Sequence, residues 1–169
     1  MTNAALGVDV GGVIIGRTTT TGQAELADRN AAEVPGALDA LRLLVDRGFG
    51  DAVFVISKCG PRVQAKILRW LKDQRFHEVT GVKPNHVRFC LERREKLQIC
   101  SELGITHFID DRLDVLMNLR QVPHLYLFAP DDRRAPVHLP RFVERVRSWQ
   151  EVVARLIVGP TSGPVKTGR

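Results

Sequence analysis

The chain has 169 residues, 44% of them hydrophobic and 26% charged, a balance that fits one globular domain able to bury its own core without staples. Its 25 lysines and arginines outnumber its 19 aspartates and glutamates, for a formal charge of +6, which favours anionic ligands through long-range steering without selecting one. Three cysteines, Cys59, Cys90 and Cys100, in no CxxC pair, argue against a disulfide framework or a cysteine zinc site and suit a reducing compartment.

The first predicted strand runs from Leu6 to Val10 and carries the octet GVDVGGVI, in which Asp9 is followed by Gly11 and Gly12. Asp9 cuts the apolar start too early for a signal peptide, and no apolar run is long enough to span a bilayer. The expectation is a cytoplasmic protein with no membrane partner. The stretch from Gly16 to Val34, with threonines at Thr18 to Thr21, has no helical pattern and reads as a hairpin or loop over the end of that strand. A first helix follows Pro35, buries Leu38, Leu41, Leu44 and Val45, and stops at Gly48, Pro being suited to an early helical position and Gly to a stop.

A second strand is predicted over Ala52 to Ser57, and a helix from Pro61 buries Val63, Ile67, Trp70 and Leu71. The third strand, Val87 to Cys90, leads to a helix over Glu92 to Leu103 that Gly104 ends. The fourth strand, His107 to Asp110, is followed by a short helix after Asp111, and the fifth strand is His124 to Phe128. From Pro140, the apolar positions Phe142, Val146, Trp149, Val153 and Leu156 recur at intervals of four and three, which predicts a last helix.

Short apolar strands alternating with amphipathic helices predict an α/β chain: a single three-layer αβα Rossmann-like domain over residues 1–157 with a five-stranded parallel sheet. Residues 158–169, ending GPTSGPVKTGR, read as a flexible basic tail. The tail is no phosphate loop, because Gly163 and Lys166 do not stand together as that motif requires. Arg133, Arg134, Arg141, Arg145 and Arg147 form a basic stretch, but Asp131, Asp132 and Glu144 dilute it and no aromatics interleave, so nucleic acid is not the expected partner.

In an open α/β sheet, ligands bind at the carboxyl ends of the strands where strand order reverses. Strand one ends in Asp9, strand two in Ser57 and strand four in Asp110 and Asp111, while Lys96 lies on the helix leading into strand four. Three carboxylates need a hard divalent cation such as Mg²⁺ to coexist, and a hydroxyl and an ammonium can hold phosphoryl oxygens. The set suits phosphoryl transfer.

These residues, in this order, resemble the four motifs of the haloacid dehalogenase-like superfamily over Leu6 to about Phe128. The resemblance implies that Asp9 is the nucleophile and forms an aspartyl intermediate with a phosphorylated substrate. Ser57 and Lys96 would hold the phosphoryl group, with Lys58 and Gly12 completing the phosphate-binding set. Mg²⁺ would be held by Asp9, Asp110, Asp111 and the carbonyl of Gly11. Phosphatases of the family usually have a second Asp where this chain has Gly11, serving as general acid and base, a role worth about 10²- to 10⁴-fold.

Three explanations stay open. The leaving group needs little protonation, another group such as Arg17, Lys58 or the threonine loop supplies the proton, or the domain binds a phosphorylated ligand or protein partner without turnover. Neither inter-motif gap is long enough for a cap domain. Such a site is open, so it accepts a large substrate or takes its cover from another subunit of a homo-oligomer. GVDVGG also resembles the first phosphate loop of actin-fold sugar kinases, but the chain is too short for their two domains.

Overall fold

The structure is a computed structural model that describes residues 4–18, 25–26, 31–133 and 135–158. In chain order the elements are β1 (Leu6–Val8), β2 (Arg17–Thr18), β3 (Glu25–Leu26), α1 (Ala37–Leu44), β4 (Val53–Lys58), α2 (Pro61–Asp73), α3 (Phe76–Thr80), β5 (Val87–Cys90), α4 (Arg93–Glu102), β6 (His107–Asp110), α5 (Leu113–Leu116), β7 (His124–Phe128), β8 (Val143–Val146) and α6 (Trp149–Val153). Wider π turns continue α1 over Val45–Phe49 and α6 over Ala154–Val158, and a 3₁₀ turn at Pro84–His86 precedes β5.

Six strands form one all-parallel sheet in the order β5-β4-β1-β6-β7-β8. Parallel pairing needs a crossover between neighbours, and the helices supply it on both faces. Alternation along the strands sorts the core into two layers, as a period of two dictates. Val53, Val55, Ile109, Tyr126 and Phe128 pack with Leu41, Ile67, Trp70, Phe76 and Trp149 on the face of α1, α2, α3 and α6. Ile56, Phe108, Leu125 and Leu127 pack with Cys100, Val115 and Leu116 on the face of α4 and α5. The result is a Rossmann-like three-layer α/β fold. No described helix is long and apolar enough to cross a membrane.

The sheet has six strands, which corrects the five predicted. The extra strand, β8, occupies the first part of the stretch expected to be the last helix. Val143 and Val146 are buried there, while Phe142 faces solvent at 40% exposure. Intervals of four and three fit a strand followed by a helix as well as one continuous helix, so the apolar positions alone did not separate them. The helix begins only at Trp149, where the Ser148 hydroxyl accepts the backbone N–H of Glu151 at 3.1 Å and the Glu151 carboxylate accepts that of Arg147 at 2.8 Å. This S-x-x-E pattern is a helix start signal present in the sequence at Ser148 and Glu151.

Between β1 and α1, Arg17–Thr18 pairs antiparallel with Glu25–Leu26, in the stretch expected to be a hairpin or loop. Thr19, Thr20 and Thr21 lie outside the described residues, as do Arg134 and the tail from residue 159. Among the described residues, neither this segment nor the one between β4 and β5 holds a cap domain.

Candidate active site

β1 lies at the centre of the sheet, with β4 and β5 on one side and β6, β7 and β8 on the other. The order of connection therefore reverses between β1 and β6, and a crevice opens at their carboxyl ends. Asp9 follows β1 and Asp110 ends β6, held in register by the Asp9 N–H donating to the Ile109 carbonyl at 2.9 Å. Both aspartates are buried, at 7% and 1% exposure.

Lys96 joins them. Its Nζ donates to Asp9 Oδ1 at 3.0 Å and to Asp110 Oδ2 at 2.8 Å, from a side chain with 1% exposure. The start of α4 sets its position: the Glu95 carboxylate accepts the N–H groups of Leu91 and Glu92, closing a capping box that leaves Lys96 in the first helical turns, directed inward. The Phe108 ring lies 4.9 Å beneath the ammonium. That ring needs Gly7, since a Cβ there would stand 2.5 Å from the Phe108 ring edge.

Burial opposes the charged form of Lys96, but the Asp9 and Asp110 carboxylates overcome it and hold the lysine protonated well above its usual range. Burial pushes Asp110 upward, the Asp9 charge adds to this, and Lys96 holds it back. Asp110 is further anchored by the Arg112 N–H, which donates to Oδ1 at 3.0 Å.

A second cation serves the third carboxylate. Arg17 Nη2 donates to the Gly11 carbonyl at 3.1 Å and to Asp111 Oδ1 at 3.2 Å, while Nε faces Oδ2 at 3.1 Å without the alignment of a hydrogen bond. Burial nevertheless raises Asp111 to about 6, with Arg17 opposing it. Gly12 makes the close approach feasible. Its φ of +77° suits glycine, and a Cβ would stand 2.2 Å from Asp111 Oδ2.

Across the crevice, Ser57 near the end of β4 is 4% exposed, and its hydroxyl has one partner among the described residues, the Cys59 sulfur at 3.8 Å. So weak a partner leaves the hydroxyl free to donate elsewhere. Burial raises the Cys59 thiol and keeps it neutral. A cleft of about 610 Å³ opens here, lined by Asp9, Gly11, Ser57, Lys58, Lys96 and Asp110 among the residues singled out in the sequence. Gly12 and Asp111 are not part of its lining.

Three oxygens, one from each of Asp9, Asp110 and Asp111, lie within 4.8 Å of one another. With the Gly11 carbonyl nearby, this all-oxygen donor set fits a small hard cation of the Mg²⁺ type. Arg17 shares two of those donors and would have to yield part of its contact.

Arg17 was singled out only for its closeness in sequence to Gly11. Arg62, Lys66 and Arg112 also line the cleft and were missed. The signal for two of them was present: α2 starts three residues after β4, so its first turns overhang the strand ends, and Arg62 and Lys66 stand one turn apart on one face. The histidines lie elsewhere, with His107 and His124 stacked at 4.4 Å where β6 and β7 begin.

Comparison with known proteins finds no family model and no curated protein that matches the chain.

Proposed function

We propose that this protein is a phosphohydrolase of the haloacid dehalogenase type, with Asp9 as the nucleophile. The observation that carries the reading is the bridge from Lys96 to Asp9 and Asp110 at 3.0 and 2.8 Å, facing a weakly engaged Ser57 hydroxyl across one cleft. A single ammonium between two buried carboxylates holds the Asp9 carboxylate in one orientation, which a nucleophile requires. The free Asp9 oxygen attacks phosphorus, the bond to the leaving oxygen breaks, and the leaving group departs with the electron pair. Ser57 donates to a phosphoryl oxygen and Lys96 offsets its charge. Water then attacks the same phosphorus, releasing phosphate and restoring Asp9. Mg²⁺ held by Asp9, Asp110, Asp111 and the Gly11 carbonyl would supply further neutralisation of phosphoryl charge.

One observation favours a second reading, a domain that binds a phosphorylated ligand without turnover. Gly11 has no side chain to protonate a leaving group or activate water. Phosphate release by wild type and Asp9→Asn, with MgCl₂, over a panel of alkyl, aryl and acyl phosphates and phosphoanhydrides separates the two. The hydrolase reading predicts release by wild type on at least one substrate, abolished in the variant. Equal background rates for both proteins, with phosphate binding retained, would favour the binding domain.

A further inference from the structure

The cleft has six basic side chains in its lining, Arg17, Lys58, Arg62, Lys66, Lys96 and Arg112. Three are committed within the protein: Lys96 to Asp9 and Asp110, Arg17 to Asp111, and Arg112 to Asp114 at 2.9 Å. Lys58, Arg62 and Lys66 are exposed and have no ion-pair partner among the described residues. Arg62 and Lys66 are one turn apart on α2, about 6 Å along its axis, and α2 has no acidic residue in its first turn. Lys58 ends β4 beside Ser57.

Among the described residues, the lining holds no histidine, tyrosine or glutamate to protonate a leaving group, and its Cys59 sulfur accepts from the Ser57 hydroxyl at 3.8 Å. Its two carboxylates are tied to Lys96, whose Nζ donates to both. An alkoxide leaving unprotonated is about as basic as hydroxide, far more basic than a phosphate anion. A leaving phosphate, with a second pKa of about 6, needs no such help.

Building on the phosphohydrolase reading, we infer that the substrate is a phosphoanhydride, cleaved so that the leaving group is itself a phosphate anion received by Lys58, Arg62 and Lys66. The Asp9 carboxylate forms a bond to the terminal phosphorus, and the bridging P–O bond breaks. The bridging oxygen keeps the electron pair and departs as phosphate. Water then hydrolyses the aspartyl phosphate, with its surplus proton passing to solvent or to the released phosphate. No oxidant or further co-reactant is needed. The unpaired cations thus take the part that a side chain at position 11 plays for an alcohol leaving group.

The test compares kcat/KM of the wild type, with MgCl₂, on pyrophosphate and ADP, on acetyl phosphate, on p-nitrophenyl phosphate and on glucose 6-phosphate. The anhydrides are expected to exceed the alkyl ester by at least about 100-fold, the scale of a missing general acid. Arg62→Ala/Lys66→Ala is expected to lower kcat/KM on the anhydrides at least about tenfold more than on p-nitrophenyl phosphate, as loss of charge-assisted contacts implies. Arg69→Ala removes a charge from α2 outside the cleft lining and should leave that ratio unchanged. The inference is overturned if glucose 6-phosphate matches the anhydrides, or if the double variant lowers every substrate by the same factor. Turnover of acetyl phosphate or p-nitrophenyl phosphate alone would also overturn it, while leaving the hydrolase reading standing. Failure on every substrate would overturn both.

Discussion

Replacing Lys96 by methionine keeps most of its volume and removes the charge shared by Asp9 and Asp110. At an effective dielectric of about 20, each contact near 3 Å provides about 5 kcal/mol of Coulomb attraction, much of it offset by desolvating three charges. Removing the lysine reverses that balance, because Asp9 and Asp110 stay buried at 7% and 1% exposure with no cation between them. Loss of one partner from a buried ionic cluster costs about 3–5 kcal/mol, a large part of the ~5–15 kcal/mol that holds a domain folded. The loss should depend on pH. Asp110 is already pushed upward by burial and by Asp9, and without Lys96 it rises further. A carboxyl raised in the folded state binds its proton more tightly there than in the unfolded chain, so the deficit grows as pH rises from the unfolded value toward the folded one. Urea denaturation should therefore show Lys96→Met much less stable than wild type at pH 8 and closer to it at pH 5. Lys96→Met/Asp110→Asn should regain at least half of the loss. Equal midpoints for wild type and Lys96→Met at pH 8, or a deficit independent of pH, would refute the argument.

Gly12→Ala should cost about 1–3 kcal/mol in urea denaturation, from a φ of +77° and a Cβ 2.2 Å from Asp111 Oδ2, and should weaken divalent-ion binding in calorimetry by displacing Asp111. Arg17→Ala frees the Gly11 carbonyl and Asp111 from a competing cation, so Mg²⁺ affinity by calorimetry should rise about tenfold, the scale of one charge-assisted contact. His107 is lowered from 6.5 to about 4, chiefly by burial and secondly by His124. The unfolded chain takes up that proton first, so stability present above pH 6.5 falls as pH drops toward 4. Discounted for partial exposure, the loss from this residue is about 1–2 kcal/mol, and His107→Gln should flatten the acid limb of the stability curve by that amount.

Five strands and the residues at their ends were legible because strands buried on both faces are short apolar runs, and parallel connection brings their carboxyl ends to one edge. Asp9, Ser57 and Asp110 reach one cleft on that account, and α4, which leads into β6, brings Lys96 to them. β8 was not legible from apolar spacing, although Ser148 and Glu151 marked the later helix start. The role of Arg17 was hidden for a different reason. Its partner Asp111 is 94 residues away, and the contact depends on how the chain after β1 turns back over the cleft. Arg62 and Lys66 were hidden by attention to strand ends, though the short link from β4 to α2 brings them to the same edge.

For phosphoryl transfer through Asp9 as proposed above, Gly11 also sets the expected timing. With no side chain at that position to activate water, the second step should be slow and the aspartyl intermediate should accumulate. Acid quenching during turnover of a phosphoanhydride, followed by peptide mapping by mass spectrometry, tests this directly. Attack by Asp9 on phosphorus predicts the mass of one phosphoryl group on the peptide containing Asp9, absent from Asp9→Asn. An adduct on another residue, or phosphate release that persists in Asp9→Asn, would contradict it.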